Sequence, residues 1–151
     1  MSLPNWQRNG WLTIHKSSAS EVRDLLGVVD RDLRDSAIDE ISTDARLGMA
    51  YNAALKAGTI ALAAAGYRAS RDQPHYRVIQ SLALTIGATA IEVGRLDAFR
   101  KKRNTSDYDR AGTTSEAEVA ELRVLAASLR DRVLAWLAAT HPELVNSTDK
   151  K

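Results

Sequence analysis

The chain has 151 residues, of which 44% are hydrophobic, and this length suits one domain with a substantial hydrophobic core. Its 21 basic and 19 acidic residues leave a formal net charge of only +2, so any affinity for nucleic acid must come from a local patch. The absence of cysteine excludes disulfides, thiolate nucleophiles and cysteine-ligated metal sites, and it fits a reducing compartment. We expect a single cytoplasmic domain over residues 1–151.

The N-terminal stretch MSLPNWQRNGWLTIH has no helical period, and it lacks the apolar core and small-residue cleavage pattern of a signal peptide. The first predicted helix begins at Ser18, where SASE has the spacing of a capping box with Glu21 as its acid. Its polar face offers pairs four residues apart, such as Asp30 with Arg34. Its apolar stripe comprises Val22, Leu25, Leu26, Val29, Leu33 and Ala37.

A second helix is predicted from Asp44 to Ala65, with Gly66 as its left-handed stop. Only Arg46, Asn52 and Lys56 interrupt its small and apolar residues, so this helix should be the most deeply buried. Its longest apolar run, AGTIALAAAGY, is too short and too rich in alanine to cross a bilayer. We expect no membrane association, and we read the following YRASRDQ as a polar connection.

Pro74 is well placed to open a third helix that runs to about Ile86, and Gly87 predicts a break. A fourth helix should run from Thr89 to about Lys102. The last should begin at Ser115, where SEAE is a second capping box, and stop at His141-Pro142. No convincing strand occurs. The sequence therefore predicts an all-α fold, a five-helix antiparallel bundle with its core at about residues 18–140.

Several kinds of catalytic site have no counterpart in the sequence. It has no Glu-x-x-His pair for a di-metal bundle, and His15, His75 and His141 lack the spacing of metal ligands. No glycine-rich phosphate loop joins a strand to a helix, and no serine nucleophile motif is present. We expect neither a metal nor a cofactor.

The segment RKKRNTSDYDRAG, residues 100–112, concentrates five basic side chains, two carboxylates and a tyrosine. Four consecutive cations without opposed charges beside them would suit a polyanion. If the fourth helix continues to Arg103, this arginine leans toward the bundle and Lys101 points away. The stripe that it then shares comprises Glu92, Leu96, Phe99 and Arg103.

Each of these polar residues also has a purely structural interpretation. Arg103 can cover terminal helix carbonyls or bind a phosphate through two hydrogen bonds. Asn104, Asp107 and Tyr108 have turn-forming neighbours, so they can close a turn locally or contact a ligand. His75 is either partly buried at a helix start or lines a cleft that faces the basic segment, with Glu92 as a second candidate for that cleft.

Two stretches resemble the HEPN family, the helical domains named for higher eukaryotes and prokaryotes nucleotide-binding. They are AALKAGTIALAAAGYRASRDQPHYRVIQSL from Ala53 and RNTSDYD from Arg103. The resemblance extends in arrangement over roughly Ser18 to Thr140. It implies a five-helix HEPN-like bundle that forms a homodimer, with the arginine motif of each subunit facing the dimer groove.

Many HEPN domains are metal-independent endoribonucleases, often toxins partnered by a minimal nucleotidyltransferase. Their signature is an arginine, a polar residue and, after a short spacer, a histidine. Arg103 and Asn104 match the first two positions, whereas Asp107, Tyr108 and Asp109 stand where the histidine would fall. A histidine exchanges protons near neutral pH, but an ordinary tyrosine is a poor base.

The resemblance thus implies an RNA- or nucleotide-binding domain of a toxin–antitoxin or defence system, with a nucleotidyltransferase-type antitoxin as its partner. Arg103 and Tyr108 are the candidate catalytic residues if it is an enzyme. Two alternatives remain open: a metal-independent endoribonuclease toxin, and a non-catalytic protein-interaction module. The residues expected to contact RNA or a nucleotide are Arg100, Lys101, Lys102, Arg103, Asn104, Asp107 and Tyr108.

Overall fold

A computed structural model describes the backbone of residues 2–108 and 114–146, and the side chains of residues 2–103 and 114–145. Over this part of the chain the fold is mostly helical, with one two-stranded antiparallel sheet. The helices are α1 (Leu3–Arg8), α2 (Ala19–Asp35), α3 (Thr43–Ala64), α4 (Pro74–Thr85), α5 (Ala90–Tyr108), α6 (Glu116–Thr140) and α7 (Glu143–Asn146). The strands are β1 (Leu12–Ile14) and β2 (Tyr67–Ala69).

Helix α3 lies at the centre, in contact with α2, α4, α5 and α6. Most of its residues are buried, and many are alanines that allow neighbouring helices to approach closely. Gly58 marks a close approach, because a Cβ atom there would lie 2.9 Å from Cγ1 of Val78 on α4. The predicted burial of the second helix is confirmed, and so is its stop at Gly66, whose φ is +102°.

The five predicted helices correspond to α2, α3, α4, α5 and α6, and the all-α class is confirmed as a mostly helical fold. Among the described helices, none is both long and apolar enough to cross a membrane. The clearest difference is the end of the fourth predicted helix, because α5 continues to Tyr108 instead of stopping near Lys102. The residues after Arg103 have only a weak preference for turns, which costs a helix well under about 1 kcal/mol each.

The prediction of no strand was wrong. β1 pairs with β2 in the register Leu12 with Ala69 and Ile14 with Tyr67, and β2 lies inside the segment that we read as a polar connection. Each strand has three residues, too few for the alternating period of a strand to be visible in the sequence. The N-terminal stretch is folded too, since Trp6 is buried and packs edge-to-face on Trp11.

The two predicted capping boxes differ in outcome. Ser115 forms the complete box with Glu118 at the start of α6. Ser18 caps α2 by accepting from the backbone N–H of Glu21, but the Glu21 carboxylate bonds to Nε2 of His15, 2.9 Å from each oxygen. The backbone places His15 there, because its N–H donates to the carbonyl of Gly66 at 2.8 Å. A tertiary contact has thus replaced the second half of the local motif.

Candidate functional site

Tyr51 forms the floor of the candidate site. It stands on α3 with 2% of its surface exposed. Burial raises the pKa of its phenol to about 12, although the positive charges of Arg100 and Arg103 act in the opposite direction. The phenol is therefore protonated at neutral pH and can donate a hydrogen bond, but it cannot serve as a base.

Arg103 lies over this floor, as the helical stripe predicts. Its Cζ is 5.5 Å from the centre of the Tyr51 ring, within the range of a cation–π contact. Its Nε is 3.7 Å from the position that a Cβ on Gly48 would take, so the absence of a side chain there leaves room for the guanidinium. Among the described residues, no carboxylate lies within 4.0 Å of the Arg103 guanidinium.

His75 contacts the same tyrosine from α4. Its Nδ1 is 3.5 Å from Oη of Tyr51, at the long limit of a hydrogen bond, and the two ring centres are 6.1 Å apart. Burial, together with the positive charges of Arg103, Lys56 and Arg100, lowers the pKa of the imidazole below its ordinary value of 6.5. The residue itself is exposed at the surface. We call Tyr51, His75, Arg100 and Arg103 the Tyr51 cluster.

The expectation that the RKKR cations lack opposed charges is wrong for three of the four. Arg100 Nε lies 2.7 Å and Lys101 Nζ 3.5 Å from the Asp97 carboxylate, and Lys102 Nζ lies 3.5 Å from that of Glu118. The physical reason is helix geometry, since Asp97 precedes two of these cations by three and four residues. Such pairs at a surface are worth about 0–1 kcal/mol, so a phosphate can compete with them.

Glu92, the second residue assigned to the cleft, is bound within the fold. Its carboxylate accepts hydrogen bonds from the Thr89 backbone N–H at 2.9 Å and from Arg132 Nη1 at 2.6 Å. The bond from Thr89 and then that from Arg132 lower its pKa. It also precedes Arg103 by eleven residues on α5, which is about 16 Å along a helix. We therefore place Glu92 outside the site.

The candidates Asn104, Asp107 and Tyr108 lie on the described backbone of α5, but their side chains fall outside the described residues. Their helical backbone differs from the turn that their composition favours. Asp109, where a family histidine would fall, is also outside the described part.

Arg103 also borders a polar cavity of about 360 Å³ between α2 and α3. Its wall includes the guanidinium groups of Arg31 and Arg103 and the carboxylates of Asp32 and Asp44, so the charges balance. Asp32 is buried there and accepts hydrogen bonds from Arg31 and from Asn52, the latter at 2.6 Å. Since this wall has no excess positive charge, we expect a phosphate to meet Arg103 on the side of Tyr51 and His75.

Sequence reasoning missed Tyr51, Lys56 and Tyr76 as members of this region. Tyr76 lies beside the cluster, with Arg100 Cζ 5.5 Å from its ring centre. The sequence contains one signal for two of them, because Tyr51 and Lys56 are among the few large side chains on an alanine-rich helix. The pairing of Tyr51 with His75 depends on how α4 packs on α3, which a single sequence does not encode locally.

Within the described side chains, no three His, Asp or Glu residues lie close enough together to hold a metal ion. Comparisons with protein-family models, with curated proteins and with solved structures found no match to this chain. The HEPN resemblance therefore stays a prediction.

Proposed function

We propose that this protein is an HEPN-like RNA-binding domain whose Tyr51 cluster contacts a phosphate of single-stranded RNA. The observation that carries the proposal is Arg103, a half-buried guanidinium held on the ring of Tyr51 beside His75, with no described carboxylate within ion-pair distance. Within the described part of the chain, this guanidinium therefore has no counterion. A phosphate oxygen pair would supply that counterion through two parallel hydrogen bonds.

The neighbouring cations support the same ligand. Arg100 is half-buried and Lys101 is exposed, and both share the single carboxylate of Asp97. Among the described side chains, the four cations at residues 100–103 stand against the two carboxylates of Asp97 and Glu118, so the described part of this end of α5 has an excess of positive charge. The exposed ring of His75 offers a face on which an unpaired base can stack.

The partners proposed with this function come from the resemblance alone. They are a second copy of the chain, which would bring two Tyr51 clusters to one groove, and a nucleotidyltransferase-type antitoxin. Size-exclusion chromatography with light scattering tests the first, and co-purification with a neighbouring gene product tests the second.

Salt-titrated binding of a short single-stranded RNA tests the proposal. We expect Arg103→Ala to weaken binding and to lower the slope of log K against log salt by about 0.7, the value for one lost phosphate contact. Arg103→Lys should keep most of the slope and lose part of the affinity, because an ammonium cannot form the paired hydrogen bonds. Arg23→Ala, an exposed arginine of α2, is the matched control.

Equal affinities for wild type, Arg103→Ala and Arg23→Ala would refute the proposal. That result would favour a non-catalytic protein-interaction module, in which the cluster only shapes an interface. Thermal unfolding of each variant shows whether a loss of binding comes from a loss of folded protein.

A second candidate function is a metal-independent endoribonuclease, and the position of His75 favours it. The family histidine is missing after Arg103, yet His75 reaches the same tyrosine as Arg103 from a different helix. If Nδ1–H donates to Oη of Tyr51, Nε2 is free to accept a proton. Because the pKa of His75 is lowered, the imidazole is in its neutral, basic form at pH 7.

In this mechanism the RNA 2′-oxygen attacks the adjacent phosphorus while its proton passes to Nε2 of His75. The bond from phosphorus to the 5′-oxygen breaks, and the 5′-oxygen takes up the proton from the imidazolium. The products are a 2′,3′-cyclic phosphate and a 5′-hydroxyl end. Arg103 stabilises the negative charge that develops on the phosphoryl oxygens.

Incubation of total RNA with the protein in EDTA, followed by mapping of the ends, tests this candidate. Cleavage by wild type that is lost in both Arg103→Ala and His75→Gln would support it. RNA that stays intact with wild type, while the binding assay shows dependence on Arg103, would leave binding as the function and rule out this cleavage for the substrates used.

A further inference from the structure

A second cavity, separate from the Tyr51 cluster but sharing His75 with it, is enclosed by α3, α4, β2 and the start of α2. Its volume is about 330 Å³, at the lower end of the range of about 300–1,000 Å³ for small-molecule sites. The side chains of Leu55, Leu62 and Val78 give it an apolar floor, and the ring of Tyr67 forms part of its wall. This shape and lining suit a small ligand with a flat, apolar body.

Groups of both charges line the cavity, where Lys56 and Arg68 are the cations and Glu21 is the carboxylate. Lys56 and His75 both line this cavity, and the positive charge of the Lys56 ammonium contributes to the lowered pKa of His75. His15 and Glu21 stand at the end away from Lys56, where the backbone N–H of His15 is bonded to the carbonyl of Gly66. Lys56 and Gly66 are ten residues apart, which corresponds to about 15 Å along a helix. The side chains of Lys56 and Glu21 line the same cavity from different elements.

Lys56 is a cation of the cavity wall that can bind an anionic ligand. It is half-buried, and among the residues that the structure describes no carboxylate lies within ion-pair distance of its ammonium. A half-buried cation beside an imidazole and over an apolar floor attracts an anion. At the far end, the Glu21 carboxylate keeps acceptor capacity beyond its bond to His15 and can receive N–H groups of a ligand.

We propose that this cavity binds one nucleotide, with its phosphate against Lys56 and His75 and its base on the apolar floor, the base edge directed toward Glu21. The assignment of the ligand as a nucleotide rests on the proposed function, whereas the need for an anion at Lys56 rests on the cavity alone. The nucleotide is either a free mononucleotide or one unit of the RNA strand whose neighbouring phosphate meets Arg103. The shared residue His75 joins the two sites.

Binding measurements with three probes test the inference: uridine 5′-monophosphate, inorganic phosphate and a short single-stranded RNA. Lys56→Met removes the cavity cation, and Lys16→Met removes the same charge from an exposed lysine outside the cavity wall. We expect Lys56→Met to weaken the nucleotide by about tenfold, as loss of a charge-assisted hydrogen bond would, and Lys16→Met to leave its affinity unchanged. Glu21→Gln tests the base end without removing a cation.

The outcomes distinguish a free nucleotide from a nucleotide unit of RNA, and they distinguish this inference from the proposed function. Lys56-dependent binding of uridine 5′-monophosphate supports a free nucleotide, and Lys56-dependent binding of RNA alone supports a unit of the strand. Inorganic phosphate that binds as tightly as the nucleotide overturns the base site. If RNA binding depends on Arg103 but Lys56→Met behaves like Lys16→Met with every probe, this inference fails and the proposed function stands. If neither Lys56 nor Arg103 matters, both fail.

Discussion

Replacing Gly58 by alanine tests the close contact that brings α4, and with it His75, onto α3. An alanine Cβ at this position would lie 2.9 Å from Cγ1 of Val78, a distance that real Cβ atoms do not tolerate, and 3.6 Å from Leu82. Val78 is buried and β-branched, so its side chain has little freedom to move away. Either the side chain leaves its rotamer or α4 shifts outward from α3.

Gly94 in α5 supplies the matched control, because a Cβ there meets nothing within 4 Å. Alanine in place of glycine inside a helix gains about 1 kcal/mol, and we expect that gain in full for Gly94→Ala. For Gly58→Ala the same gain is offset by an overpacking cost of about 1–3 kcal/mol. The free energies of unfolding of the two variants should therefore differ by about 1–3 kcal/mol, with Gly58→Ala the less stable.

Urea unfolding followed by circular dichroism measures this difference, which corresponds to a Tm difference of roughly 2–12 °C for a domain of this size. The double variant Gly58→Ala with Val78→Ala removes the clashing methyl groups and should show a favourable coupling energy. If Gly58→Ala stabilised the protein as much as Gly94→Ala, the contact between α3 and α4 would be looser than described and our account of how His75 reaches Tyr51 would be refuted.

Three further predictions concern charge and capping. RNA affinity should rise as the pH is lowered through the pKa of His75, which lies below the ordinary value of 6.5, because the protonated imidazole adds a positive charge beside the phosphate. In a binding titration at several pH values, His75→Gln should abolish this dependence. Arg46→Met should cost about 1–3 kcal/mol in urea unfolding because the buried guanidinium donates to the Ser36 carbonyl at 2.8 Å, whereas Glu116→Gln, at a side chain that is 71% exposed, should cost less than about 1 kcal/mol. Ser115→Ala should cost about 1 kcal/mol through loss of the α6 cap, and an unchanged Tm would contradict it.

The helices were predictable from sequence because their signals are local and repeated. The apolar period, Pro74 at the start of α4 and the left-handed glycines Gly66 and Gly87 each act within a turn or two of the chain. The helix bounds set by Pro74, Gly66 and Gly87 lie within two residues of the prediction, whereas α5 ends six residues beyond the predicted Lys102. The strands were not predictable, since their register depends on contacts between residues more than fifty positions apart. Asp30, which we expected to pair with Arg34, instead forms an ion pair with Arg130 on α6 at 2.7 Å.

The candidate site was only half predictable for the same reason. Periodicity placed Arg103 on the inner stripe of α5, and its position over Tyr51 follows that prediction. We did not predict from the sequence that Asp97 and Glu118 pair with three of the adjacent cations, and the pairing with Glu118 depends on how another helix packs beside α5. Nor did it bring His75 to Tyr51, which depends on the tertiary packing of α4.

The two proposed binding positions share one rigid element, since Tyr51 and Lys56 are five residues apart on the buried helix α3. Their separation along the helix axis is about 7.5 Å, because each residue of an α-helix rises by 1.5 Å. This distance is fixed as long as α3 stays folded. Changing that spacing would require breaking α3, whose amide hydrogens should exchange only through global unfolding. Ligands should therefore be selected by how far apart their anionic groups stand, and a strand with a lengthened backbone unit should bind at one position but not at both.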